Sequence, residues 1–165
     1  MMVSFATLAE KLDASDMLGY LRNFPLDLAR AWKAAEGWDF SAIENQQYSG
    51  VICLGMGGSA SGGDFLSCLS DADGCLPFIS HRGYDLPTWA SEKWLVLSTS
   101  YSGNTEETID ATEAAIGLGC TVVGMSSGGK MKTLLEDSNQ TWIELPGGQP
   151  PRSAFGHIFG AQIAI

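Results

Sequence analysis

The 165-residue sequence predicts an α/β domain of three layers, with a mainly parallel sheet of about five strands, helices on both faces, and further helices preceding it. After Gly50, five short apolar runs recur, as expected of strands buried on both faces. Stretches of helical period lie between most of them, and strands alternating with helices imply parallel pairing through crossovers. A 45% hydrophobic and 17% charged composition over one domain's length supplies a core without disulfide or metal staples.

Residues 1–45 read as helical and are expected to pack on a domain formed by residues 46–165. Ser15 is placed to cap a helix on which Met17, Leu18, Leu21 and Phe24 share a face. Pro25 suits a first helical turn, after which Leu28, Ala29, Trp32 and Ala35 keep the spacing as far as Gly37. Strands are expected at 51–54, 78–79, 94–97, 121–125 and 142–145, and helices at 59–70, 104–118 and 130–136. On the second of these helices, Thr108, Ile109, Thr112, Ala115 and Ile116 make a stripe. The link from 79 to 94 has no stripe and reads as irregular. A last helix begins near Arg152 and stays apolar to Ile165, without a polar cap or glycine stop. Such a segment docks into the core or against a second subunit, or else the chain is cut within a helix, which is the expectation here.

Nine Lys plus Arg against 19 Asp plus Glu give a net charge of −10, which argues against nucleic acid and anionic membrane as partners. No positive leader and no run of 18 apolar residues occur, so a soluble cytoplasmic setting is expected. The cysteines Cys53, Cys68, Cys75 and Cys120 lack metal-binding spacing. Two disulfides are formally possible, but Cys53 and Cys120 sit in apolar runs and read as buried thiols.

In open α/β sheets, ligands bind beyond the carboxyl ends of strands. Three such ends are unusual. Residues 55–64, GMGGSASGGD, form a glycine-rich strand-to-helix loop that lets backbone amides approach an anion. Gly55, Gly57 and Ala60 also fit the loose dinucleotide fingerprint, and Arg82 keeps NADP open as an alternative. Residues 98–108, STSYSGNTEET, carry Ser100, Ser102 and Thr105, spaced to line a turn and a helix start. Hydroxyls plus helix amides satisfy phosphate oxygens without a buried lysine. Asn104 and Glu107 have capping-box spacing, which would explain those two residues but not the three hydroxyls. Third, Arg152 follows a rigid double proline, where a fixed guanidinium suits a phosphate or charge developing on oxygen. The loop 126–130, SSGGK, is a weaker candidate of the same sort and reads as a plain turn and helix start. His81 and His157 are too few and too far apart to suggest a metal, and no G-x-S-x-G elbow occurs.

Taken in order, DMLGYLRNFP, GMGGSASGGD, RGYDLP, STSYSGNTEET and QPPRSAFG resemble a sugar-isomerase (SIS) domain, more narrowly the first domain of the bifunctional phosphoglucose/phosphomannose isomerases. The resemblance spans residues 16–156 and implies a flavodoxin-like sheet. It also implies aldose–ketose isomerisation of glucose 6-phosphate or mannose 6-phosphate to fructose 6-phosphate, in a cytoplasmic homodimer that uses no cofactor and no metal. By position, Ser100, Ser102 and Thr105 would hold the phosphate, Gly58 and Ser59 would line the sugar site, and Arg152 would stabilise an enediolate. Two departures stand out. The family usually has Leu-Gly-Tyr where this chain has Phe155-Gly156-His157. Family members also continue into a second SIS domain that supplies a glutamate base and a ring-opening histidine, so the 165 residues are expected to hold half an active site and to be inactive alone. A non-catalytic module that senses a sugar phosphate is the alternative.

Overall fold

The computed structural model describes residues 4–44, 46–74 and 76–165; Cys75 lies outside them. Helix α1 (Phe5–Leu12) is capped by Ser4, whose hydroxyl accepts the Thr7 amide. Helix α2 runs unbroken over Met17–Ala34, which corrects two expectations. Ser15 is not the cap. The N-cap is Asp16, and the Asp13 carboxylate instead accepts the Met17 and Leu18 amides at 2.7 and 2.8 Å. Two carboxylate oxygens satisfy two orphan amides and favour the helix dipole, whereas one serine hydroxyl serves a single amide. Pro25 lies inside this helix and does not open a second one. Tertiary packing overrides the proline: the Phe24 ring stacks on Phe155 at 5.8 Å, and buried Asp27 and Ala31 face the last helix.

After the short helix α3 (Ser41–Glu44), strands β1 (Gly50–Gly55), β2 (Phe78–His81), β3 (Trp94–Thr99), β4 (Thr121–Ser126) and β5 (Thr141–Glu144) form one sheet. Its order is β2-β1-β3-β4-β5, with every pair parallel. All five expected strands are present. Helices α4 (Ser61–Asp73), α5 (Glu106–Leu118) and α6 (Gly129–Asp137) connect them, and α7 (Phe155–Gln162) closes the chain. Residues 82–93 carry no helix or strand, as expected.

Strand pleating divides the core. Val51, Cys53, Leu95, Leu97, Val123 and Met125 point to the face covered by α4 and α7. Ile52, Leu54, Val96 and Val122 point to the face covered by α5 and α6, through Ala111, Ala115, Met131 and Leu135. The chain moves one way from β1 to β2 and the other way from β3 to β5. Right-handed crossovers therefore place α4 opposite α5 and α6, and strand order reverses between β1 and β3. Helix α7 is docked, with Ile158 and Ala161 in the core and Ile165 packed against it. Burial holds the Cys53 thiol up at about 12, and Cys53, Cys68 and Cys120 are free. No helix among the described residues is long and apolar enough to cross a membrane.

Candidate functional site

At the point of reversal, Gly55 of β1 is level with Thr99 of β3, so the loops that follow the two strands meet. Their tie is a hydrogen bond from the Tyr101 amide to the Ser59 hydroxyl, 3.2 Å. Ser59 is buried at the end of a 3-10 turn, Gly57–Ser59, and Ser61 opens α4 behind it. An ideal Cβ on Gly58 would lie 3.1 Å from the Pro151 carbonyl oxygen and 3.3 Å from Arg152 Cα, so this loop also abuts the segment before α7.

The turn after β3 is built from its own hydroxyls. The fully buried Ser100 hydroxyl donates to Thr105 Oγ1 at 3.1 Å and accepts the Thr105 amide at 3.3 Å. The Ser102 hydroxyl accepts the Asn104 amide at 3.3 Å and is exposed. Helix α5 begins at Glu106 with Thr105 as N-cap, and no side chain caps it. The capping box expected from Asn104 and Glu107 is therefore absent. Asn104 lies one position too early; its side chain donates to the Ser102 carbonyl (2.9 Å) and accepts the Lys130 amide (3.2 Å). The first amides of a helix lack internal acceptors, and here no capping side chain covers them.

Arg152 sits in the turn ahead of α7, exposed and without an ion pair among the described residues. It shares a cavity of about 440 Å³ with Gly58, Ser61, Phe65 and Phe155. The structure thus brings Gly58 and Arg152 together, bonds Ser100 to Thr105, and ties Ser59 to the same turn through the Tyr101 amide. Ser102 and Thr105 do not line the Arg152 cavity. Arg82, the basis of the NADP alternative, is engaged by Asp64 and by Ser80, and its guanidinium holds the Asp64 carboxyl below its usual range.

Sequence reasoning missed a second set of residues. The loop 126–130 is more than a plain turn: the Ser127 amide and hydroxyl both donate to the Tyr101 carbonyl, at 2.9 and 2.8 Å. The Tyr101 hydroxyl donates to the Pro146 carbonyl at 2.7 Å and accepts the Gln149 amide at 3.2 Å. Gln149 in turn donates through Nε2 to Asp27, whose other oxygen lies 3.4 Å from His157 Nε2. Burial pushes the His157 pKa down, against the pull of Asp27, and Arg30 adds to the depression. A glutamine between Gly147-Gly148 and Pro150-Pro151 was the one available hint, and nothing in sequence linked it to Tyr101. Among the described residues, no group of three or more His, Cys, Asp or Glu is gathered as for a metal ion.

No protein-family model matches the chain. It is 35% identical over 138 residues to the bifunctional phosphoglucose/phosphomannose isomerase of Caldicellulosiruptor bescii, covering 83% of this chain and 40% of that protein. The Aquifex aeolicus protein of the same name is 33% identical over 138 residues, covering 79% and 43%. The D-glucosamine-6-phosphate 4-epimerase of Sulfolobus acidocaldarius is 34% identical over 116 residues, covering 70% and 36%. The crystal structure of tagatose-6-phosphate ketose/aldose isomerase from Escherichia coli superposes with a TM-score of 0.72 at 19% identity, over 90% of this chain and 46% of that one. The chain thus spans about two-fifths of the length of the curated relatives it matches. By sequence it is a relative of the bifunctional phosphoglucose/phosphomannose isomerases, and its fold is the sugar-isomerase fold of the phosphosugar isomerases.

Proposed function

We propose that the chain is the phosphosugar-binding part of a sugar-phosphate isomerase that interconverts an aldose and a ketose, glucose 6-phosphate or mannose 6-phosphate and fructose 6-phosphate. The observation that carries this reading is the uncapped start of α5 beneath a turn made of Ser100, Ser102 and Thr105, at the reversal of strand order. In this reading the Ser102 and Thr105 hydroxyls and the first amides of α5 hold the phosphate. Ser100 shapes the turn. Gly58 and Ser59 wall the sugar, and Arg152 faces the oxygen on which negative charge develops as a proton moves between adjacent carbons. A preorganised cation there lowers the enediolate more than the neutral sugar, which is what accelerates the step.

The base and the ring-opening histidine lie outside these 165 residues in this reading, in a second sugar-isomerase domain, and residues 46–165 form the first. His157 does not take the histidine's place, because it is buried against Asp27. In this reading the protein works in the cytoplasm as a homodimer, and exposed Phe65 and Leu69 on α4 support the association. The relatives' names include an isomerase of phosphoglucose and phosphomannose and a 4-epimerase of D-glucosamine 6-phosphate, so similarity supports a phosphosugar ligand more strongly than the reaction.

Thermal shift with glucose 6-phosphate, fructose 6-phosphate and NADPH tests the reading. A ligand at 100 times its dissociation constant adds about 2.7 kcal/mol, a readily measured shift. Stabilisation by the hexose phosphates supports it, and stabilisation by NADPH alone overturns it.

A further inference from the structure

We propose that Tyr101 is a positioning residue, which sets the place of Arg152 from inside the phosphate turn; this rests on the functional reading above. Tyr101 lies between Ser100 and Ser102, yet its side chain leaves the turn and is buried, 4% exposed, against the loop that follows β5. Its hydroxyl grips that loop twice, donating to the Pro146 carbonyl and accepting the Gln149 amide. Burial pushes the phenol's pKa up, so it stays a neutral donor through the working range.

From Gln149 onward the chain has little freedom. Pro150 and Pro151 have fixed φ angles, and the Ser153 amide and hydroxyl both return to the Pro150 carbonyl, at 2.9 and 2.8 Å. Gln149 is also held from the other side by the buried Asp27 carboxylate. An anchor at Gln149 therefore fixes the Arg152 backbone three residues later. Meanwhile the Tyr101 amide and carbonyl tie the same residue to Ser59 and Ser127. One side chain thus joins the turn proposed for the phosphate to the loop whose backbone leads into Arg152, proposed for the sugar end. The guanidinium has no ion pair of its own among the described residues, so its aim depends on this backbone placement.

Titration calorimetry on the intact protein, with inorganic phosphate and with fructose 6-phosphate, separates positioning from general support. Tyr101→Phe, Arg152→Ala and the double variant form one cycle. Gln149→Ala takes the place of Tyr101→Phe in a second cycle; it keeps the backbone amide that donates to the Tyr101 hydroxyl and removes the side-chain tie to Asp27. A loss as large as that of Tyr101→Phe would assign the hold on Arg152 to Asp27 and overturn the role of Tyr101. We expect Tyr101→Phe to leave phosphate affinity within about twofold and to weaken fructose 6-phosphate about tenfold, the scale of a hydrogen bond to a charged group. With Arg152 already alanine, the same change should cost nothing further. Equal losses on both ligands, or full additivity with Arg152→Ala, overturn the positioning role and leave the functional reading intact. A wild-type protein that binds neither ligand overturns both.

Discussion

Gly103 and Gly74 offer a matched test of how tightly the phosphate turn is packed. Their φ angles are nearly equal, +69° and +67°, so alanine pays a similar backbone cost at either position. Adopting the left-handed conformation costs an L-residue roughly 1–2 kcal/mol. The surroundings differ. At Gly74, the cap of α4, a Cβ meets nothing within 4 Å among the described residues. At Gly103 it falls on the Gly128 carbonyl, with the carbonyl carbon at 2.7 Å and Gly129 Cα at 3.2 Å. That neighbour is backbone, and Gly103 also accepts the Met131 amide at 2.9 Å, so the start of α6 must move with it. Overpacking of this kind adds about 1–3 kcal/mol. The sum for Gly103→Ala is about 2–5 kcal/mol against about 1–2 for Gly74→Ala. In a domain of this size each kcal/mol lowers Tm by roughly 2–4 °C. Thermal melts followed by circular dichroism should therefore show Gly103→Ala losing several degrees more than Gly74→Ala. Equal shifts would refute the claim that the turn after β3 is wedged against the loop after β4.

Ser102→Ala and Thr105→Ala should each weaken hexose 6-phosphate binding about tenfold by calorimetry. Ser102→Ala should leave Tm nearly unchanged, because its side chain does not cap α5. Thr105→Ala should also lower Tm by a few degrees, because the buried Ser100 hydroxyl loses its acceptor. If both variants melt early and bind normally, these hydroxyls support the helix and not a ligand. Stability should fall with acidity below pH 6.5, the ordinary histidine value, because the unfolded chain then takes a proton that buried His157 resists. Above that pH the contribution is complete, and His157→Gln should flatten the slope of Tm between pH 6.5 and 5. Iodoacetamide on the native protein should modify exposed Cys68 and spare Cys53, as read by peptide mass mapping.

The central strands β1, β3 and β4 were legible because both faces of the sheet are covered there, so each is a largely apolar run. The edge strands β2 and β5 are half-buried and announced themselves only by short apolar pairs between helices. Strand order was not legible, since any arrangement of parallel strands satisfies the same pattern. Pro25 misled for a related reason. Local chemistry argues for a helix start, but the break is overruled by contacts with α7, more than a hundred residues away. The loops carrying Gly58 and Ser59, and Ser100, Ser102 and Thr105, were legible from local composition as strand-to-helix connections at the carboxyl ends of β1 and β3. The bond from Gln149 to Tyr101 spans 48 residues and that from Gln149 to Asp27 spans 122, distances at which single-sequence patterns carry no signal. The capping box, the alternative to an anion site, shows the limit at close range. Asn104 and Glu107 have the right spacing, but the turn bonded by Ser100 starts the helix one residue later and frees Asn104 to brace the loop before α6.

The net charge of −10 seems hostile to a phosphorylated ligand, and the fold shows why the objection is weak. Residues 51–63 and 94–105, the strands and loops that meet at the site, contain no charged side chain. Several acids nearby are already engaged: Asp64 holds Arg82, Asp110 accepts the Asp85 amide, and Asp27 is enclosed by Arg30, His157 and Gln149. Acids elsewhere on the surface are screened over about 8 Å at physiological salt. Glu106 and Glu107 remain, in the first turn of α5, where they stabilise the helix but compete with an anion for the same partial charge. In the proposed site their repulsion must be outweighed from outside the helix. Arg82 is held by Asp64, which leaves Lys130, beside Asn104 and Glu106, and Arg152, beside Gly58, as cations near these loops without an ion pair among the described residues. In the proposed site the electrostatic demand at the phosphate end falls to Lys130, beside Asn104 and Glu106, and the rigid hold on the Arg152 backbone serves the sugar end, beside Gly58.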